Sequence, residues 1–405
     1  MRTLTPTLVI SIFLIVPACS DSSGSDTAGV HEEPLDASPG ADATSAVDRL
    51  PPSVDVSASD APRDVARSPD ASVDVPASDV MQLPPLGAGV GTLAGSSESG
   101  RADGDRAHGR FNNPVNVTLG PDGNLYVADY DNGLLRVVRP DGQVSTLTRQ
   151  SNFSRPFGLV FTPDGTLYAE TDANDLGEVS RETGTLWRIS LVDGAATVVH
   201  RNLGRPRGLA ALPDGAVFMA DPQHHVVAII DPRTGVVSDL AGERDRAGFA
   251  DGDGNAARFN VPFDTVVSGD VVLVADQLNH RIRAVTRGGH VSTWAGTGTA
   301  ASTDGASATA SFNRPQGLAR DDAGNVYVTD LDSFLVRRVS PDGQVSTIAG
   351  NGREGYLDGA PREAEFHGLE GIDVSLDGAL IFIADGNRGT DLASHRIRRI
   401  AFGAM

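Results

Sequence analysis

From residue 89 onward the chain repeats itself. A chain that recurs at intervals of a few dozen residues builds one supersecondary unit per repeat. No such unit buries its apolar faces without its neighbours. The clearest copy opens Phe312-Asn313-Arg314-Pro315-Gln316-Gly317-Leu318 and continues Gly324-Asn325-Val326-Tyr327-Val328-Thr329-Asp330. It then runs through Leu335-Val336-Arg337-Arg338-Val339 and Gly343-Gln344-Val345-Ser346-Thr347-Ile348-Ala349-Gly350. Each piece is a short β-prone run, and turn formers such as Pro341-Asp342-Gly343 separate the runs. Four short strands per repeat is the pattern of a propeller blade.

The opening aromatic or leucine recurs at Phe111, Phe153, Leu203, Phe259, Phe312 and Phe366, which predicts six blades. The second strand recurs as Leu125-Tyr126-Val127-Ala128-Asp129, Val217-Phe218-Met219-Ala220-Asp221, Leu273-Val274-Ala275-Asp276 and Ile381-Phe382-Ile383-Ala384-Asp385. An arginine recurs on the third strand at Arg136, Arg188, Arg283, Arg337 and Arg398, with Ala228 in the third unit. An Asp and an Arg present in most units predict pairing within blades, a scaffold role rather than a single site. The sixth unit stops after its third strand, His395 to Ile400. Gly89-Val90-Gly91-Thr92-Leu93-Ala94-Gly95 matches the fourth strand of the fifth unit, so this N-terminal strand is expected to complete the last blade. The loop after the fourth strand carries Asp103-Gly104, Asp251-Gly252, Asp304-Gly305 and Asp358-Gly359, which read as tight turns between blades.

Asn279-His280-Arg281-Ile282, with its near copy Ser394-His395-Arg396-Ile397, resembles the namesake stretch of the NHL repeat family. The resemblance covers residues 89–405, and the Asp-Gly loops are similar to those of NHL propellers in bacterial surface proteins and teneurins. It implies an all-β, six-bladed β-propeller of NHL type, closed by the N-terminal strand. Function is not implied, because it resides in sites grafted onto such folds.

Residues 1–18 have one positive charge, Arg2, and an apolar run from Leu8 to Val16 that is too short to span a bilayer. The run ends Val16-Pro17-Ala18-Cys19, which resembles a bacterial lipobox and implies cleavage before Cys19 and lipidation of it. Ser20 rather than Asp follows, which by the sorting rule of enteric bacteria implies the outer membrane. Cys19 is the only cysteine, so an internal disulfide and a multi-thiolate zinc site are both excluded. Residues 19–88 are rich in Ser, Asp, Ala and Pro with no apolar period, and read as a disordered, extended linker. They carry about half of the net charge of −20. The repeat region is only mildly acidic, which argues against a nucleic-acid partner. Lysine is absent, which excludes Schiff-base chemistry.

Ligands of a propeller sit over its central channel. The channel candidates are the residues after the opening proline, Val115, Phe157, Arg207, Phe263 and Gln316, with Glu370 at the same place in the sixth unit. Two aromatics, an Arg and a Glu suit an amphipathic sugar or peptide. Similarity to the gluconolactonase family implies a divalent metal on a Glu before a Gly, plus Asn and Asp. Glu370-Gly371 fits, but Arg207, Phe157 and Gln316 stand where oxygen ligands are wanted. The peptidyl-amidating lyase, another NHL-type enzyme, uses three channel histidines, and none of the post-proline positions is His. His224, His280 and His395 fall beyond the second strand and read as exposed or structural. Asp251, Asp253 and Asn255 alternate like a calcium loop, although position twelve is Pro262. Glu170, Asp172, Asn174, Asp175 and Glu178 fall in a long insertion and read as a solvated acidic loop. No cofactor is expected, with calcium on Asp251, Asp253 and Asn255 as the alternative. The expected function is non-catalytic binding of a protein, peptide or glycan by a monomer anchored in the cell envelope. A metal-dependent lactonase-like hydrolase and a structural subunit of an envelope complex are the alternatives.

Overall fold

The computed structural model describes residues 86–388 and 394–402. The signal segment, Cys19 and the linker as far as residue 85 lie outside the described residues. The rest is a ring of six antiparallel sheets, and the helical content described is three single 3-10 turns. In the first blade the strands are Pro114–Leu119, Leu125–Asp129, Leu134–Val138 and Val144–Thr148, paired in that order. The first strands of the six blades touch one another in a closed circle, which makes them the channel wall.

Each blade is sandwiched between two others, so both faces of its middle strands must be apolar. Leu125 and Val127 pack toward the sixth blade, whereas Tyr126 and Ala128 pack toward the second. Six apolar clusters result, one at each blade-to-blade interface. The opening aromatics Phe111, Phe153, Phe259, Phe312 and Phe366 are all fully buried in these interfaces.

The ring closes as the repeat count requires. Gly89–Ser96 pairs antiparallel with His395–Ala401, from Gly89 opposite Ala401 to Ser96 opposite His395. The sixth sheet thus takes its outer strand from the N-terminal end of the domain, and that strand covers the edge of His395–Ala401.

The recurrent Asp and Arg do pair. Arg136 donates to Asp129 at 2.9 Å, Arg283 to Asp276 at 2.7 Å, Arg337 to Asp330 at 2.9 Å and Arg398 to Asp385 at 2.8 Å, and all eight side chains are buried. The second nitrogen of each guanidinium reaches the Asp of an Asp-Gly loop: Asp103, Asp251, Asp304 or Asp358, at 2.5–2.8 Å. The Asp-Gly pairs are therefore more than turns. Their glycines, with φ from 142° to 155°, pair with the outer strand of the next blade, as Gly305 does with Val345. The loop from one blade is thereby latched to the edge of the next, and one arginine holds the latch.

Arg188 does not share this role. Its register partner is Tyr168, and the residue opposite Ala169, where the other blades place arginine, is Trp187. Trp187 is buried and donates from Nε1 to Thr171 Oγ1 at 2.7 Å, so an uncharged pair replaces the ion pair. In the third blade Ala228 does occupy the arginine position, and Asp221 instead meets His224 at 2.6 Å.

Candidate functional site: the channel mouth

All six post-proline positions converge. Val115, Phe157, Arg207, Phe263, Gln316 and Glu370 line one cavity of about 370 Å³ at a mouth of the channel. Phe157 stands edge-on to Phe263, ring centroids 5.7 Å apart, and edge-on to Tyr130 at 6.1 Å. The Arg207 guanidinium lies 3.9 Å above the Phe157 ring. Gln316 Oε1 accepts from Gln277 at 2.9 Å.

Two further rings of repeat positions complete the wall. The residue after the second-strand Asp supplies Tyr130, Gln277 and Leu331. The residue before the opening proline supplies Asn113 and Arg314. These pre-proline residues are in the left-handed region, Asn113 at φ 57° and Arg314 at φ 59°, as is Val261 at 58°. Non-glycine residues rarely adopt that conformation and need support from outside the turn. The repeat histidine provides it: Nδ1 of His395, His280 and His225 accepts the backbone N–H of Asn113, Arg314 and Val261 at 3.0–3.1 Å. His280 and His395 are therefore structural, as expected. In the third blade this task falls to His225, while His224 is buried between Asp221 and Glu182.

The acidic run of the second blade is divided: Glu178 is exposed, but Glu170 and Asp172 are fully buried, because they lie on and just beyond the second strand of the blade. Asp172 Oδ2 gathers Arg205, Arg207 at 2.9 Å and the Tyr130 hydroxyl at 2.5 Å. Burial works against ionisation of Asp172, but the Arg207 and Arg205 charges outweigh it and hold the carboxyl below the ordinary range. Burial and the Asp172 charge push Glu170 well above its ordinary value. Asn174 caps its own turn through Leu176 and Glu178, and Asp175 pairs with Arg201 at 2.6 Å. Burial raises Glu370 to about 8 against the pull of Arg207 and Arg388, so it is mostly uncharged at neutral pH. A Cβ at Gly386 would sit 2.5 Å from the Pro114 carbonyl and 3.4 Å from Glu370 Oε1, so glycine there keeps this corner open.

Among the described residues no group of three or more His, Cys, Asp or Glu side chains is placed to hold a metal. In the calcium-like stretch, Asp251 is taken by Arg283, Asp253 lies 2.7 Å from His290 Nδ1, and the Asn255 carbonyl accepts from Arg258. A guanidinium already neutralises Asp251, so its oxygen serves the latch.

Residues 111–138, the heart of the first blade, match the model of the NHL repeat. This is an NHL-repeat propeller. The chloroplastic protein Suppressor of Quenching 1 of Arabidopsis thaliana is 26% identical over 61% of the chain, which spans 27% of that protein. NHL repeat-containing protein 2 of Bos taurus is 27% identical over 60% of the chain, which spans 41% of it. The chain thus spans less than half the length of either relative. Among solved structures, an auxiliary nutrient binding protein of Bacteroides ovatus superposes with TM-score 0.60 at 20% identity, over 77% of this chain and 76% of that one. A gluconolactonase of Xanthomonas campestris superposes with TM-score 0.51 at 16% identity, over 78% and 89%. At such identities the likeness is one of fold. The NHL propeller presents its cavity at the convergence of three rings of repeat positions. Of these, the post-proline ring was legible from repeat phase alone. The other two also recur at fixed phase, immediately after the recurrent Asp and immediately before the proline, which is the signal that locates them.

Proposed function

We propose that this NHL propeller is an exported, envelope-tethered binding protein that takes its ligand at the channel mouth, with Cys19 as the lipid-bearing residue. One observation carries the reading: six positions at the starts of the inner strands bring edge-to-face aromatics, a guanidinium, an amide and a carboxyl to one cavity of about 370 Å³. Sites that bind organic ligands combine apolar walls with a few convergent polar groups in this way, and the volume lies in the range they occupy. The nutrient binding protein that shares the fold adds a parallel. Arg207 is the group most exposed to test, since it is both stacked on Phe157 and held by Asp172.

Thermal shift and calorimetry of the full chain against mono- and oligosaccharides and short peptides test the proposal, with Arg207→Ala and Arg314→Ala as controls. A ligand whose affinity falls at least tenfold in both variants supports the channel mouth as the site. A ligand that binds both variants as tightly as the parent overturns it, as does a stoichiometric divalent metal with lactone hydrolysis.

A further inference from the structure

Tyr130 belongs to two cavities. The second, of about 460 Å³, is lined by loops of the first and second blades, including the insertion that carries Gly177 and Val179. Tyr130 has a guanidinium from each space near its ring: Arg207 of the first at 5.8 Å from the centroid and Arg155 of the second at 5.9 Å. Asp172 holds the Tyr130 hydroxyl, so the ring is a fixed saddle rather than a swinging gate.

The charges of the two spaces agree with each other and not with the molecule. Arg207, Arg314 and Arg388 line the first cavity, and Arg149 and Arg155 line the second. The carboxyl residues that line them are Glu370 and Asp131. Carboxylates stand behind some of these arginines: Asp332 beside Arg388 at 2.6 Å and Arg314 at 3.4 Å, Asp172 beside Arg207 at 2.9 Å and Asp103 beside Arg149 at 3.6 Å. Burial leaves Glu370 mostly uncharged at neutral pH. A basic trough in a protein of net charge −20 focuses anions locally.

The uncharged lining narrows the class. Ser151 and Ser154 in the second cavity, like Asn113 and Gln316 in the first, both donate and accept hydrogen bonds, while the amides of Asn132 and Gln150 are held by Gly100, Asp129, Asn152 and Ala196. Such groups match hydroxyls, which also do both, whereas a chain of carboxylates alone would ask only for donors. The rings of Tyr130, Phe157 and Phe263 offer apolar faces between the polar groups. A pyranose presents that alternation, with C–H faces and a polar rim.

Resting on the channel-mouth reading, we propose that the two cavities form one site for an acidic oligosaccharide, a carboxylate-bearing sugar chain that lies across Tyr130 with units on both sides. The carboxylates face the arginines and the sugar hydroxyls face the amides and serines. Each cavity lies near the low end of ligand-pocket volumes, so the pair suits several linked rings better than one.

Calorimetry of the full chain with galacturonate, its dimer, trimer and tetramer, neutral cellotetraose and a hexaglutamate peptide tests this. The tetramer is expected to bind at least tenfold tighter than the monomer and at least tenfold tighter than cellotetraose, with affinity falling as salt rises. Arg149→Ala combined with Arg155→Gly should reduce the tetramer to the affinity of the monomer. Glycine suits the left-handed backbone at position 155, where φ is 54°. Arg207→Ala should weaken monomer and tetramer alike. Equal binding of monomer and tetramer, with the Arg207 dependence kept, overturns the two-cavity site and leaves the channel mouth standing. Equal binding of acidic and neutral tetramers, or preference for hexaglutamate, overturns the sugar class. Binding of every sugar unaffected by Arg207→Ala overturns the channel mouth as well.

Discussion

Four blades of the propeller carry the same buried Asp–Arg pair, and two do not. In the first, fourth, fifth and sixth blades the arginine ties its own blade to the latch loop from the blade before. In the second blade Thr171 and Trp187 occupy those positions, and in the third Asp221 meets His224 opposite Ala228. The same two blades supply Asp172, Arg205 and Arg207 to the channel mouth. Where the repeat pattern holds, the side chains brace neighbouring blades. Where it lapses, Asp172 pairs with Arg205 and Arg207, and Arg207 lines the cavity. A repeat protein adds one site to a periodic scaffold in this way, since a feature present in every unit cannot mark one place.

The largest effect should come from breaking a clamp. Arg337→Ala leaves Asp330 buried without its cation and releases Asp304, and should cost about 3–5 kcal/mol in denaturant unfolding. A cost below about 1 kcal/mol would remove the distinction between clamped and unclamped blades. In the unclamped second blade, Asp172→Asn should cost less, roughly 1–3 kcal/mol, because the amide oxygen still accepts from Arg205 and Arg207. Its larger consequence should be a loss of ligand affinity of tenfold or more, read by calorimetry. Trp187→Phe keeps an aromatic ring, though a smaller one, and leaves Thr171 Oγ1 without its donor, and should cost about 1–2 kcal/mol by the same unfolding measurement.

The smallest effect is a pH dependence shared by both kinds of blade. The imidazoles of His225, His280 and His395 accept backbone N–H groups, which requires the neutral ring. Burial, aided by Arg181, Arg314 and Arg396 respectively, pushes their pKa values below 6.5. A depressed pKa means that the folded state binds protons less readily than the unfolded one. Their contribution is therefore complete above the ordinary histidine value and is lost as pH falls through the folded value. His224 runs the other way, raised by its bonds to Asp221 and Glu182, and its contribution fades as pH rises. In unfolding midpoints, the histidine share of the stability should decline as pH falls below about 6.5, against the opposite pull of buried carboxyls such as Asp264, raised to about 7, and Asp276, raised to about 6. His280→Asn, which retains an acceptor near the backbone, should shallow that decline.

Repeat phase is readable wherever strand, turn and period agree, and for that reason the blade count, the closing strand and the six post-proline residues were legible. It fails where the offset shifts by one residue. Arg188 is one position from Trp187, and in a strand one position is the other face. It fails again where charge is read as exposure. Glu170 and Asp172 look like a soluble acidic run, but the second strand of the blade runs on to Thr171, and Arg205 and Arg207 arrive from the next blade. Asn113 and Arg314 escaped notice because the left-handed turn that aims them is held by a histidine from the preceding blade.

By itself the sequence determined the local and periodic facts: which runs are strands, how many units there are, and which strand must come from the far end to finish the ring. These depend on apolar spacing and turn chemistry, which neighbouring residues decide. Only the tertiary structure decided which charges are buried, which arginine clamps and which points at a ligand. The partners that meet across blades are far apart in sequence, 32 residues for Arg283 and Asp251 and 42 for Tyr130 and Asp172, and they meet only because successive blades pack against one another.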